Sequence, residues 1–130
     1  NKTRGIKDLQ IPYKYFAHFL RGHFDGDGSI YAYFDSRWRS SYMFYVTFVS
    51  KSLQHLNWLQ KNIMHTVGVG GKISYGSRVY RLRFAKHDSK KIINFMYKAK
   101  AKVYLKRKYD KILKILTKNA EVEKLVNSLP

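Results

Sequence analysis

LRGHFDGDGS, residues 20–29, is the stretch that decides the fold of this chain. Within it, Asp25 and Asp27 stand two apart and alternate with Gly26 and Gly28, at the end of an apolar run with helical spacing. The chain as a whole is strongly basic, with 26 Lys and Arg against 8 Asp and Glu and a net charge of +18 over 130 residues. An acidic cluster in so basic a protein suggests a divalent metal site that serves a polyanionic substrate. Phosphodiester chemistry on nucleic acid is therefore the first hypothesis.

The composition limits the class of protein. A chain of 130 residues, 45% of them hydrophobic and 16% aromatic, is large enough for one folded domain with its own core. No apolar run approaches the roughly 20 residues of a membrane-spanning helix, so we expect no membrane partner. The absence of cysteine excludes disulfides and thiolate metal sites. It fits a reducing, intracellular setting.

Hydrophobic periodicity predicts an α+β domain. We expect residues 1–12 to form an N-terminal arm or linker and residues 13–130 to form a single domain. The predicted elements are a helix at 13–24, strands at 29–35 and 42–49, a helix at 52–66, hairpin strands at 72–75 and 79–84 joined across Gly76-Ser77, and helices at 89–98, 101–116 and 120–129. The order αββαββα with a helical tail predicts that the four strands make one antiparallel sheet.

Period-two alternation separates the two faces of that sheet. The apolar set should lie under the helices: Ile30, Ala32, Phe34, Phe44, Val46, Phe48, Leu82 and Phe84. The other set, with the loop at 36–41, should reach base edges in a major groove: Tyr31, Tyr33, Asp35, Arg37, Arg39, Tyr45, Thr47, Lys72, Ser74, Arg81 and Arg83. The alternative for Arg81 and Arg83 is a solvated strand face. In the helix at 52–66 the predicted apolar stripe is Leu53, Leu56, Leu59 and Ile63.

The stretch at residues 20–29 resembles the signature of the LAGLIDADG homing endonucleases. The match lies at Leu20, Gly22, Asp25, Asp27 and Gly28, with Gly26 as a common variant. Arg21 and His23 depart from the family at its small and apolar positions. The order αββαββα is also the architecture of that family. The resemblance implies a saddle-shaped sheet covered by helices, and a site-specific endonuclease that cuts double-stranded DNA with a divalent metal ion.

The glycine spacing indicates a close contact between helices. Gly22 and Gly26 lie four apart and therefore share a helix face without side chains. If the partner is a second copy of the same helix, the two Asp27 carboxylates meet and repel each other unless a cation lies between them. Because the motif occurs once, we expect a homodimer with Gly22, Gly26 and His18 at the interface. A two-fold dimer predicts a roughly palindromic target.

The resemblance also implies residue roles. Asp27 of each copy should bind Mg²⁺, which prefers oxygen ligands, with the Gly26 carbonyl as an auxiliary ligand. Mn²⁺ is expected to substitute, and Ca²⁺ to bind without supporting cleavage. A basic residue should stabilise the transition state beside the scissile phosphate, and by resemblance Lys106 is the first choice and Lys108 the second. Lys51 is a weaker candidate. The alternatives for the lysine-rich stretch 98–118 are the wet side of an amphipathic helix and anchoring of DNA phosphates.

Other interpretations of these residues stay open. A calcium loop that begins at Asp25 does not fit, because Ile30 and Ser36 stand where an EF-hand needs Gly and Glu. Asp25 fits a turn former at a helix end, and His18 and His23 fit packing or interface residues rather than metal ligands. The alternatives to an endonuclease are an intron maturase with intron RNA as its partner, a non-cleaving DNA-binding regulator, and a general basic nucleic-acid module.

Overall fold

The computed structural model describes residues 11–35, 41–98 and 106–128. It contains the helices α1 (Tyr13–Asp27), α2 (Leu53–Val67), α3 (Lys86–Tyr97) and α4 (Lys106–Asn127), and the strands β1 (Gly28–Phe34), β2 (Tyr42–Ser50), β3 (Lys72–Gly76) and β4 (Val79–Phe84). The order αββαββα followed by a last helix confirms the predicted architecture. None of the helices in the described ranges is long and apolar enough to cross a membrane.

The four strands form one antiparallel sheet in the order β1-β2-β4-β3. The four described helices pack on one face of this sheet, and none of them covers the other face, which is called the open face below. The covered face holds the centre of the core, where each residue is at most 1% exposed: Ile30, Phe44, Val46, Phe48, Leu82 and Phe84. The alternation therefore predicted the core side of the sheet correctly at these positions.

The ends of α2 follow from local chemistry. The Ser52 hydroxyl accepts a hydrogen bond from the backbone N–H of His55 at 3.1 Å and so caps the first turn. Gly68 ends the helix with a φ of 83°, in the left-handed region that favours glycine. These caps fix α2 within one residue of its predicted bounds.

The β3–β4 hairpin turns one residue later than predicted. Ser77 and Arg78 form the turn, with φ values of 53° and 67°, as a two-residue type I′ turn requires. Gly76 pairs with Val79 as the last residue of β3 rather than as part of the turn. The prediction erred because it gave the left-handed position to the glycine, whereas pairing between the strands placed two residues with side chains there.

The last two helices also differ from the prediction. α3 begins at Lys86 rather than at residue 89, and Ser89 is buried inside its first turns, where its hydroxyl donates to the Phe84 carbonyl at 2.7 Å. α4 is continuous, whereas two helices at 101–116 and 120–129 were predicted. Its buried face continues from Ile112 to Asn119 across the predicted break. Residues 101–105 and 129–130 lie outside the described residues.

Two residues predicted for the core are exposed instead. Leu53 is 40% exposed and Phe34 is 47% exposed. Leu53 is the first residue of α2 and Phe34 is the last residue of β1, so each lies at the margin of the packed layer. Phe34 still faces the helical side, since the Lys118 ammonium of α4 lies 5.8 Å from its ring centroid.

Candidate active site and nucleic-acid interface

Helix α1 ends at two exposed residues, Gly26 and Asp27, and passes directly into β1. Phe16, Leu20 and Phe24 hold its apolar side in the core. Gly28 makes the junction possible, because a Cβ there would lie 2.7 Å from the Phe24 ring and 2.8 Å from the Phe24 Cα. This close approach places the Asp27 carboxylate at the surface where the helix meets the sheet.

One face of α1 is open among the described residues. Tyr15, His18, Gly22 and Gly26 follow one another at helical spacing and are all exposed. A Cβ built on Gly22 or Gly26 would have no heavy atom within 4 Å. Another helix backbone could therefore approach closely here, as the glycine spacing predicted. Tyr15, which is 52% exposed, was missed from sequence, although its position three residues before His18 marks the same face.

The ammonium group of Lys108 lies against the end of α1. Its Nζ donates to the backbone oxygens of Phe24, at 2.6 Å, and of Gly28, at 2.5 Å. Burial lowers the pKa of Lys108, and the negative charges of Asp25 and Asp27 oppose that shift. A cation at the C-terminal end of a helix also interacts favourably with the helix dipole. Helix α4 thus brings Lys108 to the same helix end as Asp27.

The two other candidate lysines lie differently. Lys106 is the first residue of α4 and is exposed, and Lys51 is exposed between β2 and α2. Within the described part of the chain, neither side chain makes a hydrogen bond or an ion pair. The structure therefore places the second-choice residue, Lys108, beside the motif, and the catalytic role of any of the three stays a prediction.

The end of α1 offers oxygen donors for a divalent ion. No three His, Asp or Glu side chains of the described residues come close enough together to hold a metal ion. One copy contributes the Asp27 carboxylate and the adjacent Gly26 carbonyl. Such hard oxygen donors suit Mg²⁺, which keeps several water ligands. The residues fit the ion if a second copy docked on the open face of α1 adds its own Asp27.

Arg21 has a structural role that the sequence did not reveal. It is 4% exposed, and its Nη1 donates to the Met96 carbonyl at 2.8 Å. Its Nη2 lies 2.7 Å from His18 Nδ1. The guanidinium thereby forms a hydrogen bond to a carbonyl in the last turn of α3 and links α1 to that helix. Its only sequence signal was its place beside Leu20 on the apolar side of α1.

His23 packs inside the domain, which is one of the two roles, packing or interface, predicted for it. Its Nε2 lies 2.9 Å from the Nε2 of His55, which comes from the first turns of α2. The ring of His23 meets the Phe48 ring edge-on at 5.6 Å, and the ring of His55 stacks on Trp58 at 5.7 Å. His55 was not singled out from the sequence, because nothing local links it to His23, 32 residues away.

Three tyrosines form a cluster on the open face of the sheet. Tyr31 lies opposite Tyr45 across β1 and β2, with ring centroids 5.4 Å apart. The Tyr33 ring lies 5.9 Å from Tyr45, and their hydroxyl oxygens are 3.2 Å apart. That hydrogen bond raises the pKa of Tyr33 and lowers the pKa of Tyr45. The cluster presents hydroxyl groups on rings that hold one another in place.

Cations adjoin this tyrosine cluster. The Arg83 guanidinium lies 3.8 Å from the Tyr45 ring centroid, a cation–π contact. Lys72 is opposite Arg83 on β3, and both are exposed. Together with Tyr45 and Ser74 they line a cavity of about 530 Å³ that opens on this face. Six of the eleven side chains predicted to contact DNA therefore gather into one basic and aromatic surface: Tyr31, Tyr33, Tyr45, Lys72, Ser74 and Arg83.

Some of the predicted DNA-contacting residues are held back from that surface. Thr47 lies on the open face but is 5% exposed, because β2 is flanked by β1 and β4 on both sides. Arg81 is half-buried, and its Nη1 donates to a carbonyl in the β3–β4 hairpin at 2.6 Å. Asp35 lies half-buried just past the end of β1. Arg37 and Arg39 lie outside the described residues.

Comparison with known proteins finds solved structures of similar fold but no match by sequence. No protein-family profile matches the chain, and no curated protein matches it. Among solved structures, the homing endonuclease I-TnaI is 21% identical, with 92% of this chain and 71% of that chain covered and a TM-score of 0.52.

Two further solved structures include DNA. The homing endonuclease I-CvuI, in complex with the I-CreI target that is not cleaved in 2 mM Mg, is 12% identical, with 89% of this chain and 71% of that chain covered and a TM-score of 0.58. The archaeal intron-encoded homing endonuclease I-Vdi141I, complexed with DNA, is 16% identical, with 88% and 71% covered and a TM-score of 0.56. At these identities the likeness concerns the fold.

Proposed function

We propose that this chain, whose fold is that of the LAGLIDADG homing endonucleases, is a site-specific, Mg²⁺-dependent endonuclease of double-stranded DNA that works as a homodimer. The observation behind the proposal is the end of α1. There an exposed carboxylate, an open glycine face and a lysine ammonium lie together at the edge of a basic and aromatic sheet.

The homodimer follows from what one copy lacks. A single Asp27 and one carbonyl would leave a divalent ion held mainly by water. Docking two copies through the face of Tyr15, His18, Gly22 and Gly26 would bring the two Asp27 carboxylates together. A cation between them would relieve their repulsion. A two-fold dimer of this kind reads a target whose two halves are roughly palindromic.

The chemistry divides between the ion and the chain. When bound, Mg²⁺ would lower the pKa of an attacking water and offset the charge on the leaving oxygen. Asp27 would hold the ion at the helix end, and the tight Phe24–Gly28 junction keeps that carboxylate in place. Lys108 has three N–H donors and uses two of them on the carbonyls of Phe24 and Gly28, so the third is available to a scissile phosphate. Lys106 is the alternative for that role.

Recognition belongs to the open face of the sheet. A two-stranded ribbon fits the DNA major groove, where side chains reach the base edges. Tyr31, Tyr33, Tyr45, Lys72 and Arg83 offer hydroxyl, ammonium and guanidinium donors there. The exposed lysines of α4 would contact phosphates, which adds affinity without sequence information.

The decisive test is single-turnover cleavage of plasmids that contain the flanking sequence of the protein's own gene, in Mg²⁺ and then in EDTA. Asp27→Asn removes the charge that holds the ion, so cutting should be lost while DNA binding in Ca²⁺ persists. Glu121→Gln, which removes an exposed carboxylate of α4, is the matched control and should cut normally. Full cutting by Asp27→Asn would contradict the metal assignment. Binding without any cutting by the wild-type protein would favour a regulator or a maturase.

A further inference from the structure

The geometry of the His23–His55 pair is that of a linear hydrogen bond rather than of a ring stack. The two ring planes are 3° apart and their centroids 5.1 Å apart, while the Nε2 atoms are 2.9 Å apart. The perpendicular spacing of two parallel ring planes cannot exceed the distance between any two of their atoms, which is 2.9 Å here. Stacked rings need a spacing of about 3.5 Å. The imidazoles must therefore lie edge to edge, nearly in one plane, with one proton between the two Nε2 atoms.

The pair is enclosed by uncharged rings. Phe19 and Phe48 meet His23 edge-on at 6.2 and 5.6 Å, and Trp58 stacks on His55. The Nδ1 atoms of both histidines are buried, and that of His55 has no hydrogen-bond partner among the described residues. In the neutral pair, the imidazole that accepts the shared bond already carries its own hydrogen on Nδ1. A first added proton therefore goes to the Nδ1 of the other imidazole, where burial among aromatic rings disfavours the charge. The charged group that acts on both imidazoles is the Asp27 carboxylate of α1.

We propose that His23 and His55 are positioning residues, whose hydrogen bond holds the last turns of α1 against α2 and breaks when both imidazoles are protonated. The neutral pair shares one Nε2–H. A first added proton leaves that bond intact as an imidazolium–imidazole contact. A second proton puts a hydrogen on each facing nitrogen, so no acceptor remains and two like charges meet. Because α1 ends at Asp27, the same bond positions the carboxylate of the proposed active site, and this last step rests on the proposed function.

The direction of the pH dependence follows from the surroundings. Burial lowers the pKa of His23, and a backbone hydrogen bond and the Asp27 charge oppose that shift. Burial and the charge of His23 lower the pKa of His55, and the Asp27 charge opposes that shift. Below the ordinary value of 6.5 the unfolded chain then binds more protons than the folded one. Stability is therefore fully present above pH 6.5 and is lost as the pH falls toward the folded pKa values. Because two histidines titrate, the unfolding equilibrium constant rises by up to about 100-fold for each unit by which the pH falls in that window.

The first experiment measures urea unfolding from about pH 8 to about pH 5. The wild-type protein should lose stability below pH 6.5 with a slope that approaches two protons, and the double variant His23→Phe/His55→Leu should show a flatter profile. His87→Gln, which removes an exposed histidine of α3, is the matched control and should keep the wild-type slope. An unchanged slope in the double variant would overturn the proposal.

A second measurement needs no variant and decides the matter if the double variant does not fold. In an NMR titration of the wild-type protein, His23 and His55 should both titrate below the ordinary value of 6.5, and their imidazole nitrogens should shift together. Titration of either residue at or above that value would refute the shared bond.

The consequence for Asp27 has its own readout. If the pair positions that carboxylate, the double variant should cleave DNA at least about 10-fold more slowly than the wild type near pH 8, with binding in Ca²⁺ unchanged. Wild-type cleavage by the double variant would remove the positioning role even if the bond itself is found. Should the protein not cleave DNA at all, the unfolding and NMR results still judge the hydrogen bond, so the two failures are distinguishable.

Discussion

Lys108→Met should destabilise the domain because it removes the ammonium that caps the end of α1. Lys108 donates to the carbonyls of Phe24 and Gly28, and hydrogen bonds to charged groups contribute about 1.5–3 kcal/mol each. The Phe24 carbonyl keeps the backbone N–H of Gly28 as a partner, so only the Gly28 carbonyl loses a donor outright. Burial of the ammonium has a desolvation cost that Met removes. We therefore expect the low end of the range, with the helix-dipole contribution included: a loss of about 1.5–2 kcal/mol.

The assay is urea unfolding followed by circular dichroism, with Lys106→Met as the matched control. Lys106 lies two residues earlier on the same helix and is exposed, so its replacement should change the free energy of unfolding by less than about 0.5 kcal/mol. The same pair of variants tests the active-site assignment. Lys108→Met should slow single-turnover cleavage more than it weakens DNA binding, because its effect is greatest in the transition state.

Equal loss of stability in the two variants would refute the capping role of Lys108. Slow cleavage by Lys106→Met together with normal cleavage by Lys108→Met would instead restore Lys106 as the residue beside the scissile phosphate.

Two glycines of the motif and the net charge of the chain can be tested in the same way. Gly22→Leu should split the proposed dimer into folded monomers, because the leucine side chain would fill the open face of α1. Light scattering measures the mass, and a wild-type protein that is monomeric with and without DNA would contradict the proposed dimer. Gly28→Ala should cost about 1–3 kcal/mol of unfolding free energy, because its Cβ would meet the Phe24 Cα at 2.8 Å, whereas Gly26→Ala meets no heavy atom within 4 Å and serves as the control. DNA affinity should fall steeply on a log–log plot against salt, since a protein of charge +18 releases many counterions from phosphates, and a flat plot would exclude the basic surface as the binding site.

Much of the fold was predictable because its signals are local. Period-two alternation identified the core side of the sheet at Ile30, Phe44 and Val46, and that face is buried. Most of the failures lie at the ends of elements, and the exception is the break predicted inside the continuous helix α4. Leu53 and Phe34 have apolar side chains, yet whether a terminal residue is covered depends on which other element reaches it.

The candidate site divides in the same way. The acidic stretch and its glycines are consecutive in the chain, so the sequence sufficed to single out Asp27 and the shared face of Gly22 and Gly26. The close junction at Gly28 was found only in the structure. The partners of that stretch come from far along the chain. Lys108 lies 80 residues beyond Gly28 in the chain. That Lys108 rather than Lys106 contacts the end of α1 depends on the rotation of α4 about its own axis.

By itself the sequence determined the order of the elements, the sheet with one apolar face, and the place of the acidic residues at a helix end, because each depends on neighbours within a few positions. Three outcomes were decided only by the tertiary structure. Arg21 is buried against the Met96 carbonyl, His23 is hydrogen-bonded to His55, and Thr47 is buried although it lies on the face of the sheet away from the helices. Those outcomes depend on how separate elements pack. A polar side chain on an apolar helix face becomes a tie between helices only where a partner happens to reach it, and local spacing does not encode that partner.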